Sequence, residues 1–191
     1  MTLEDPSRRS LLQAIAAAIG AATLPFAWAE PPGAADNTFS LLSAAEAADI
    51  DALVAQIIPT TETPGARAAG VVHFIDRALG TVLSHLAADY RAQLAEFQAA
   101  CRTEHPEAAS FASLASDQQI AYLKTVDRAP FFQATHLLTL LGMFAMPAYG
   151  GNRDGAGWKL IGFQDAHAFQ PPFGYYDRDY PGYVADVRPP Q

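Results

Sequence analysis

The stretch FFQATHLLTLLGMFAM, residues 131–146, decides the fold. Apolar side chains would cover nearly every side of a helix built from it, and such a helix is expected to be buried all round. Its polar exceptions are Gln133, Thr135, His136 and Thr139. A membrane anchor is the alternative, but a span needs about 20 consecutive apolar residues and this stretch is shorter. We therefore predict that it forms the central helix of a bundle, with Pro130 as a favoured first residue.

Upstream of this stretch, helical periodicity begins at a capping box. The side chains of Ser43 and Glu46 would bond backbone N–H groups that the first helical turn leaves free. Apolar residues then recur at helical spacing until Pro59. A second helical pattern starts near Ala66 and ends at Gly80, a typical end signal. The sequence therefore predicts two helices joined by a turn rich in Thr, Pro and Gly.

Two further helical patterns lie between these and the apolar stretch. One runs from Leu83 to Arg102, with apolar residues about one turn apart. The other starts at a second capping-box arrangement, formed by Ser116 and Gln119. No stretch alternates apolar and polar residues in the manner of a sheet. We therefore predict an all-α fold, an irregular bundle of about five helices over residues 43–147.

The composition changes after Pro147, where the chain becomes rich in Gly, Pro and aromatic residues. A disordered tail is poor in aromatic residues, so residues 148–191 should pack against something. We predict a long irregular wrap that folds onto the bundle through Phe163 and contacts a partner protein after Pro171, because aromatic residues are enriched at interfaces. The predicted partner-contacting residues are Tyr149, Gly150, Gly151, Asn152, Trp158, Phe173, Tyr175, Tyr176, Tyr180 and Tyr183.

The turn formed by Gly150, Gly151 and Asn152 has two interpretations. These residue types adopt positive φ at low cost, so the chain could turn sharply after the central helix and return Trp158 to the bundle. The turn is then a helix stop with a packed tryptophan, or it is part of an interface. The sequence leaves both interpretations open.

Residues 1–29 have the pattern of a removable export signal. Two adjacent arginines precede a weakly apolar run that ends in a small-x-small cleavage pattern, and they resemble the twin-arginine signal of the Tat pathway. An ordinary secretory signal is the alternative. We expect a periplasmic protein whose residues 30–42 form a flexible lead-in. The residues that carry the predicted signal are Arg8, Arg9, Leu11, Leu12, Ala27 and Ala29.

The charge and the cysteine count exclude several classes of function. A formal net charge of −8 argues against nucleic acid and anionic lipid as partners, because both are bound mainly through Lys and Arg. Cys101 is the only cysteine, so the chain has neither an internal disulfide nor a CxxCH haem site. Its helical context favours a buried free thiol.

The histidines give little support for an independent enzyme. His73 and Asp76 stand three residues apart, but a metal site there would need two further ligands, and a local hydrogen bond between them is favoured. His136 is expected to be a buried imidazole bonded to a carbonyl. Neither an HExxH nor a GxSxG motif occurs, and no glycine-rich dinucleotide fingerprint follows a strand.

Three stretches together resemble the gluconate 2-dehydrogenase subunit 3 family. They are the twin-arginine leader, IIPTTETPGARAAGVVHFID at residues 57–76, and YGGNRDGAGWKLIGF at residues 149–163. We call residues 57–76 the first motif and residues 149–163 the second motif. The similarity runs from about Ser43 to Phe163. The combination of Tyr-Gly-Gly-Asn with Gly-Trp-Lys is unusual, which makes the resemblance fairly specific.

The resemblance implies a non-catalytic small subunit of a periplasmic, flavin-dependent sugar or sugar-acid dehydrogenase. The expected partners are a large catalytic subunit of the glucose-methanol-choline (GMC) type, often a cytochrome c subunit that attaches the complex to the inner membrane, and the Tat translocon. This chain would hold no cofactor, whereas the large subunit would hold FAD and lack a leader of its own. A free-standing periplasmic protein that binds a ligand or acts in the envelope is the alternative.

Overall fold

A computed structural model describes residues 38–165. The predicted export signal and the aromatic residues from Phe173 onward lie outside this range. Within it the chain forms α-helices and short 3₁₀ turns without a strand, which confirms the all-α prediction. The helices are α1 Ala44–Ile57, α2 Val71–Gly80, α3 Ala87–Glu104, α4 Ser116–Val126, α5 Pro130–Phe144 and α6 Ala156–Ile161. Helix α6 was not foreseen, because it lies in the predicted irregular extension.

The first predicted capping box is present, but the second is placed wrongly. Ser43 precedes α1, its hydroxyl accepts the N–H of Glu46, and the Glu46 carboxylate accepts the N–H of Ser43. At α4 the helix starts one residue earlier than expected, and the Gln118 side chain accepts the N–H of Ala115 at 3.1 Å. Gln119 does not cap the helix. Its side chain is buried, and the amide donates hydrogen bonds to carbonyls in the preceding 3₁₀ turn and loop.

Helix α2 begins at Val71 and not near Ala66. The N–H of Ala66 donates to the carbonyl of Ile58, at the end of α1, at 2.9 Å. The N–H of Gly65 donates to the side chain of Thr60. These bonds tie the segment to the end of the previous helix, and residues 66–70 form turns, so the regular helix starts only at Val71.

Helix α5 contacts α1, α2 and α3, but the prediction that it is buried all round is wrong. His136 is exposed and stacks on Phe132, and Leu140 is 38% exposed. The buried face instead carries Thr135 and Thr139. Their hydroxyls donate to the carbonyls four residues earlier, which removes the cost of burying a polar group.

An aromatic cluster closes the core beside α3 and α4. The ring of Phe97 lies 5.1 to 5.2 Å from those of Phe111, Tyr122 and Phe131. Burial raises the pKa of Tyr122 to about 12, and its hydroxyl donates to the carbonyl of Phe97. Cys101 is buried nearby, as predicted. Burial, reinforced by the charge of Asp49, raises the pKa of its thiol.

Residues 39–42, which we call the strap, cross α2 before α1 begins. The carboxylate of Asp76 accepts the N–H groups of Ser40, Leu41 and Leu42 and the hydroxyl of Ser40. The hydrogen bond expected between His73 and Asp76 is therefore replaced by bonds to the strap. The end of the segment predicted as a flexible lead-in is thus attached to the bundle.

Candidate partner interface

The turn after α5 is organised by the side chain of Asn152. Its amide donates to the carbonyl of Ala145 at 2.8 Å, and its oxygen accepts the N–H of Gly157 at 2.8 Å. Asn152 has a φ of 46°, a conformation that asparagine tolerates better than most residues. A single buried amide therefore joins the end of α5 to the start of α6.

Helix α6 lies directly against the end of α5. A Cβ atom at Gly157 would collide with the carbonyl oxygen of Met143, so only glycine permits this approach. The indole of Trp158 donates to the carbonyl of Phe144 at 2.9 Å, and its ring packs 5.1 Å from that of Phe163. The extension therefore folds back onto the bundle through Phe163, as the composition predicted.

The predicted interface residues differ in their exposure. Tyr149 is 41% exposed, and Gly150 and Trp158 are half-buried. Gly151 and Asn152 are buried, which corrects their assignment to a surface: they shape the turn. For these two residues the structure favours the helix-stop interpretation. Phe173, Tyr175, Tyr176, Tyr180 and Tyr183 lie beyond the described range.

The structure brings together the two motifs, which lie about 80 residues apart in the chain. The N–H of Arg153 donates to the carbonyl of Ala69 at 3.0 Å. A groove of about 320 Å³ lies between the motifs. The first motif contributes Thr63, Pro64 and Ala68 to its lining, and the second contributes Arg153, Asp154 and Lys159. Sequence reasoning did not foresee this groove, because no local pattern shows which loops meet.

Large exposed apolar side chains are concentrated in and beside the second motif, part of which lines the groove. Of the eight such side chains between residues 38 and 165, five fall between residues 146 and 163. Leu160 also lines the groove. Contiguous exposed apolar patches commonly mark interaction sites, and this segment holds most of the exposed large apolar side chains of the described residues. We call this set the apolar end: Met146, Tyr149, Leu160, Ile161 and Phe163.

Only part of the apolar end was foreseen from the sequence. Tyr149 was predicted as an interface residue, whereas Met146, Leu160 and Ile161 were not. The second motif did contain a signal, because Leu160 and Ile161 are two adjacent apolar residues that follow Trp158 and Lys159. Because the short helix α6 can bury only one face against α5, its remaining apolar side chains stay in solvent.

Residues 44–165 match the family model described as gluconate 2-dehydrogenase subunit 3. The chain belongs to the gluconate 2-dehydrogenase subunit 3 family. The match covers the six helices described between residues 38 and 165 of this subunit 3 chain, both motifs and the apolar end. Searches of curated proteins and of solved structures gave no match.

Membership of the subunit 3 family places the chain in a dehydrogenase complex that contains other subunits. Among residues 38–165 of this subunit 3 chain, no group of three His, Cys, Asp or Glu side chains could hold a metal ion. No helix of that part has both the length and the apolar character needed to span a membrane.

The His73 side chain lies between the strap and the second motif. Its ring stacks on that of Phe39, with the centroids 4.9 Å apart. Burial lowers the pKa of His73, and the positive charge of Arg153 lowers it further. The lowered pKa favours the neutral imidazole of His73 at physiological pH.

Proposed function

We propose that this chain is the non-catalytic small subunit of a flavin-dependent sugar or sugar-acid dehydrogenase, and that it stabilises and exports the catalytic subunit. The apolar end is the observation that carries this proposal. Fully burying a large apolar side chain that starts in solvent contributes about 1.5 to 3 kcal/mol. These five residues are 41 to 59% exposed in the described chain, so covering each of them would contribute roughly half of that value. A partner subunit that covers them would therefore gain binding free energy and stabilise both chains.

The proposal divides the work of the complex among its chains. A GMC-type catalytic subunit would hold FAD and oxidise the substrate, and a cytochrome c subunit would receive the electrons and attach the complex to the inner membrane. Arg8 and Arg9 would be read by the Tat translocon. Because that route carries folded proteins, the flavin would enter the catalytic subunit before both chains cross to the periplasm.

The chemistry of the buried groups supports a structural role for this chain. The thiol of Cys101 is buried with a raised pKa, which suppresses the nucleophilic thiolate. The carboxylate of Asp76 is occupied by the strap. The carboxylate of Asp49 accepts hydrogen bonds from the Gln98 side chain and from the N–H of Ala112.

Export of the catalytic subunit tests the proposal most directly. In cells that express the whole complex, the double variant Arg8→Lys, Arg9→Lys should leave the dehydrogenase activity in the cytoplasm. The matched control is the double variant Arg102→Lys, Arg128→Lys, which makes the same change at two exposed positions of the bundle. Normal periplasmic activity of the leader variant would refute the carrier role.

The groove is the observation that would favour the alternative, a free-standing periplasmic protein that binds a small ligand. Affinity purification from the periplasm separates the two functions, with mass spectrometry to identify bound chains and an absorbance spectrum to detect flavin. We expect a large flavoprotein to co-purify with this chain. A monodisperse monomer that carries neither a partner chain nor flavin would contradict the proposed function.

A further inference from the structure

The residue Arg153 lines the groove and is half-buried. In the part of the chain that the structure describes, its side chain has neither a hydrogen bond nor an ion pair, although its backbone N–H is bonded to Ala69. Removing a charged group from water is costly unless a partner compensates it. The arginine is therefore ready to receive an anionic group from outside these residues.

Gly70 fixes the position of this arginine. A Cβ atom at Gly70 would lie closer than 3.0 Å to Nε, Cδ and Cζ of Arg153, so the side chain rests directly on the glycine. Gly70 also has a φ of 69°, which favours glycine over any residue with a side chain. The first motif thus supplies a flat support for a side chain of the second motif.

The charges of the groove indicate which anion fits. Lys159 adds a second positive charge, and the carboxylate of Asp154 adds a negative one. The formal sum is about one positive charge, which suits a singly charged carboxylate better than a doubly charged phosphate. The planar guanidinium also binds carboxylates through two parallel hydrogen bonds.

The remaining lining indicates where this carboxylate comes from. Apart from the hydroxyl of Thr63, the remaining lining is apolar and consists of Pro64, Ala68, Ala156 and Leu160. The several hydroxyl groups of a free sugar acid would need more hydrogen-bonding partners than this lining offers. An aspartate or glutamate side chain needs hydrogen-bonding partners only at its carboxylate. Leu160 also belongs to the apolar end, so an acidic side chain in the groove would be continuous with an apolar contact.

We propose that Arg153 binds the carboxylate of an aspartate or glutamate side chain of the catalytic subunit and thereby fixes the orientation of the two chains. This inference rests on the proposed function, and it adds the anchoring residue and the chemistry of its partner. Lys159 strengthens the attraction, and Gly70 holds the guanidinium in place.

Binding of the full chain to the purified catalytic subunit tests the inference, with the dissociation constant measured at low and high salt. Arg153→Gln should raise the dissociation constant at least about 30-fold, because truncating one member of a partly buried charge pair leaves the other unpaired. Arg153→Lys keeps the charge without the planar fork and should lie between wild type and Arg153→Gln. Arg128→Gln is the matched control, because this exposed arginine precedes the opposite end of α5.

The outcomes separate the inference from the proposed function. If the wild-type chain fails to bind any flavoprotein subunit, the proposed function fails. If the wild type binds and Arg153→Gln binds equally well, the inference fails alone. Unchanged melting temperatures of the variants exclude misfolding as the cause of weaker binding. Calorimetric titration of the wild-type chain with gluconate covers the other source of the carboxylate, and tight binding that Arg153→Gln abolishes would overturn the proposed protein ligand.

Discussion

We expect the substitution Asp76→Ala to release the strap from the bundle. The buried carboxylate accepts four hydrogen bonds of 2.8 to 2.9 Å from Ser40, Leu41 and Leu42. A hydrogen bond to a charged group contributes about 1.5 to 3 kcal/mol net. The groups of Ser40 and Leu41 can return to water once the strap is released, so we count about half of the bonds at this value. The expected loss of unfolding free energy is about 3 to 6 kcal/mol.

The variant Asp76→Asn separates the effect of charge from that of shape. An asparagine oxygen could still accept the N–H groups of Leu41 and Leu42, which bond Oδ1 of the aspartate. The amide nitrogen would replace the oxygen that accepts both bonds from Ser40. We expect a smaller loss, about 2 kcal/mol.

Thermal unfolding of the full chain, followed by far-ultraviolet circular dichroism at pH 7, measures both losses. For a domain of this size, 1 kcal/mol corresponds to about 4 °C in Tm, so Asp76→Ala should melt about 12 °C or more below the wild type. Asp127→Asn, an exposed carboxylate at the end of α4, is the control and should stay within about 0.5 kcal/mol. A loss under about 1 kcal/mol for Asp76→Ala would refute the reasoning.

The pH dependence gives an independent check on Asp76. Burial by itself would raise the pKa of this carboxyl, but the hydrogen bonds from Leu42, Ser40 and Leu41 outweigh it and hold the pKa below the ordinary value of 3.8. The folded chain therefore binds this proton less readily than the unfolded chain does. The stabilisation by Asp76 is complete above about pH 5 and is lost as the pH falls through the folded pKa. The wild type and Asp76→Asn should converge in stability at acidic pH.

Two further predictions concern the segment after α5. Gly157→Ala should reduce the unfolding free energy by about 1 to 3 kcal/mol, because the added methyl group would meet the carbonyl of Met143. Gly80→Ala, whose added methyl would lie 3.5 Å from the Ser40 hydroxyl, should be nearly neutral, and equal effects of the two substitutions would contradict the close approach. Deleting residues 172–191 should raise the dissociation constant for the catalytic subunit; an unchanged constant would show that the tail contacts only its own bundle.

Five of the six described helices were predictable because their signals are local. A capping box such as that of Ser43 and Glu46 involves residues three positions apart, and apolar periodicity repeats within each turn. The same locality explains the error on α5. The sequence predicted a helix that is buried on every side in spite of its few polar residues. Thr135 and Thr139 can be buried because their hydroxyl groups donate hydrogen bonds to carbonyls of the same helix. His136 is left on the face that the bundle does not cover.

The sequence by itself determined the all-α class, the starts of α1 and α5 and the family resemblance. Only the tertiary structure decided that Arg153 lies on Gly70 and that Asp76 binds the strap. The physical reason is the separation along the chain. These contacts join residues more than 30 positions apart, and their geometry follows from how whole helices pack, which no short pattern of residues encodes.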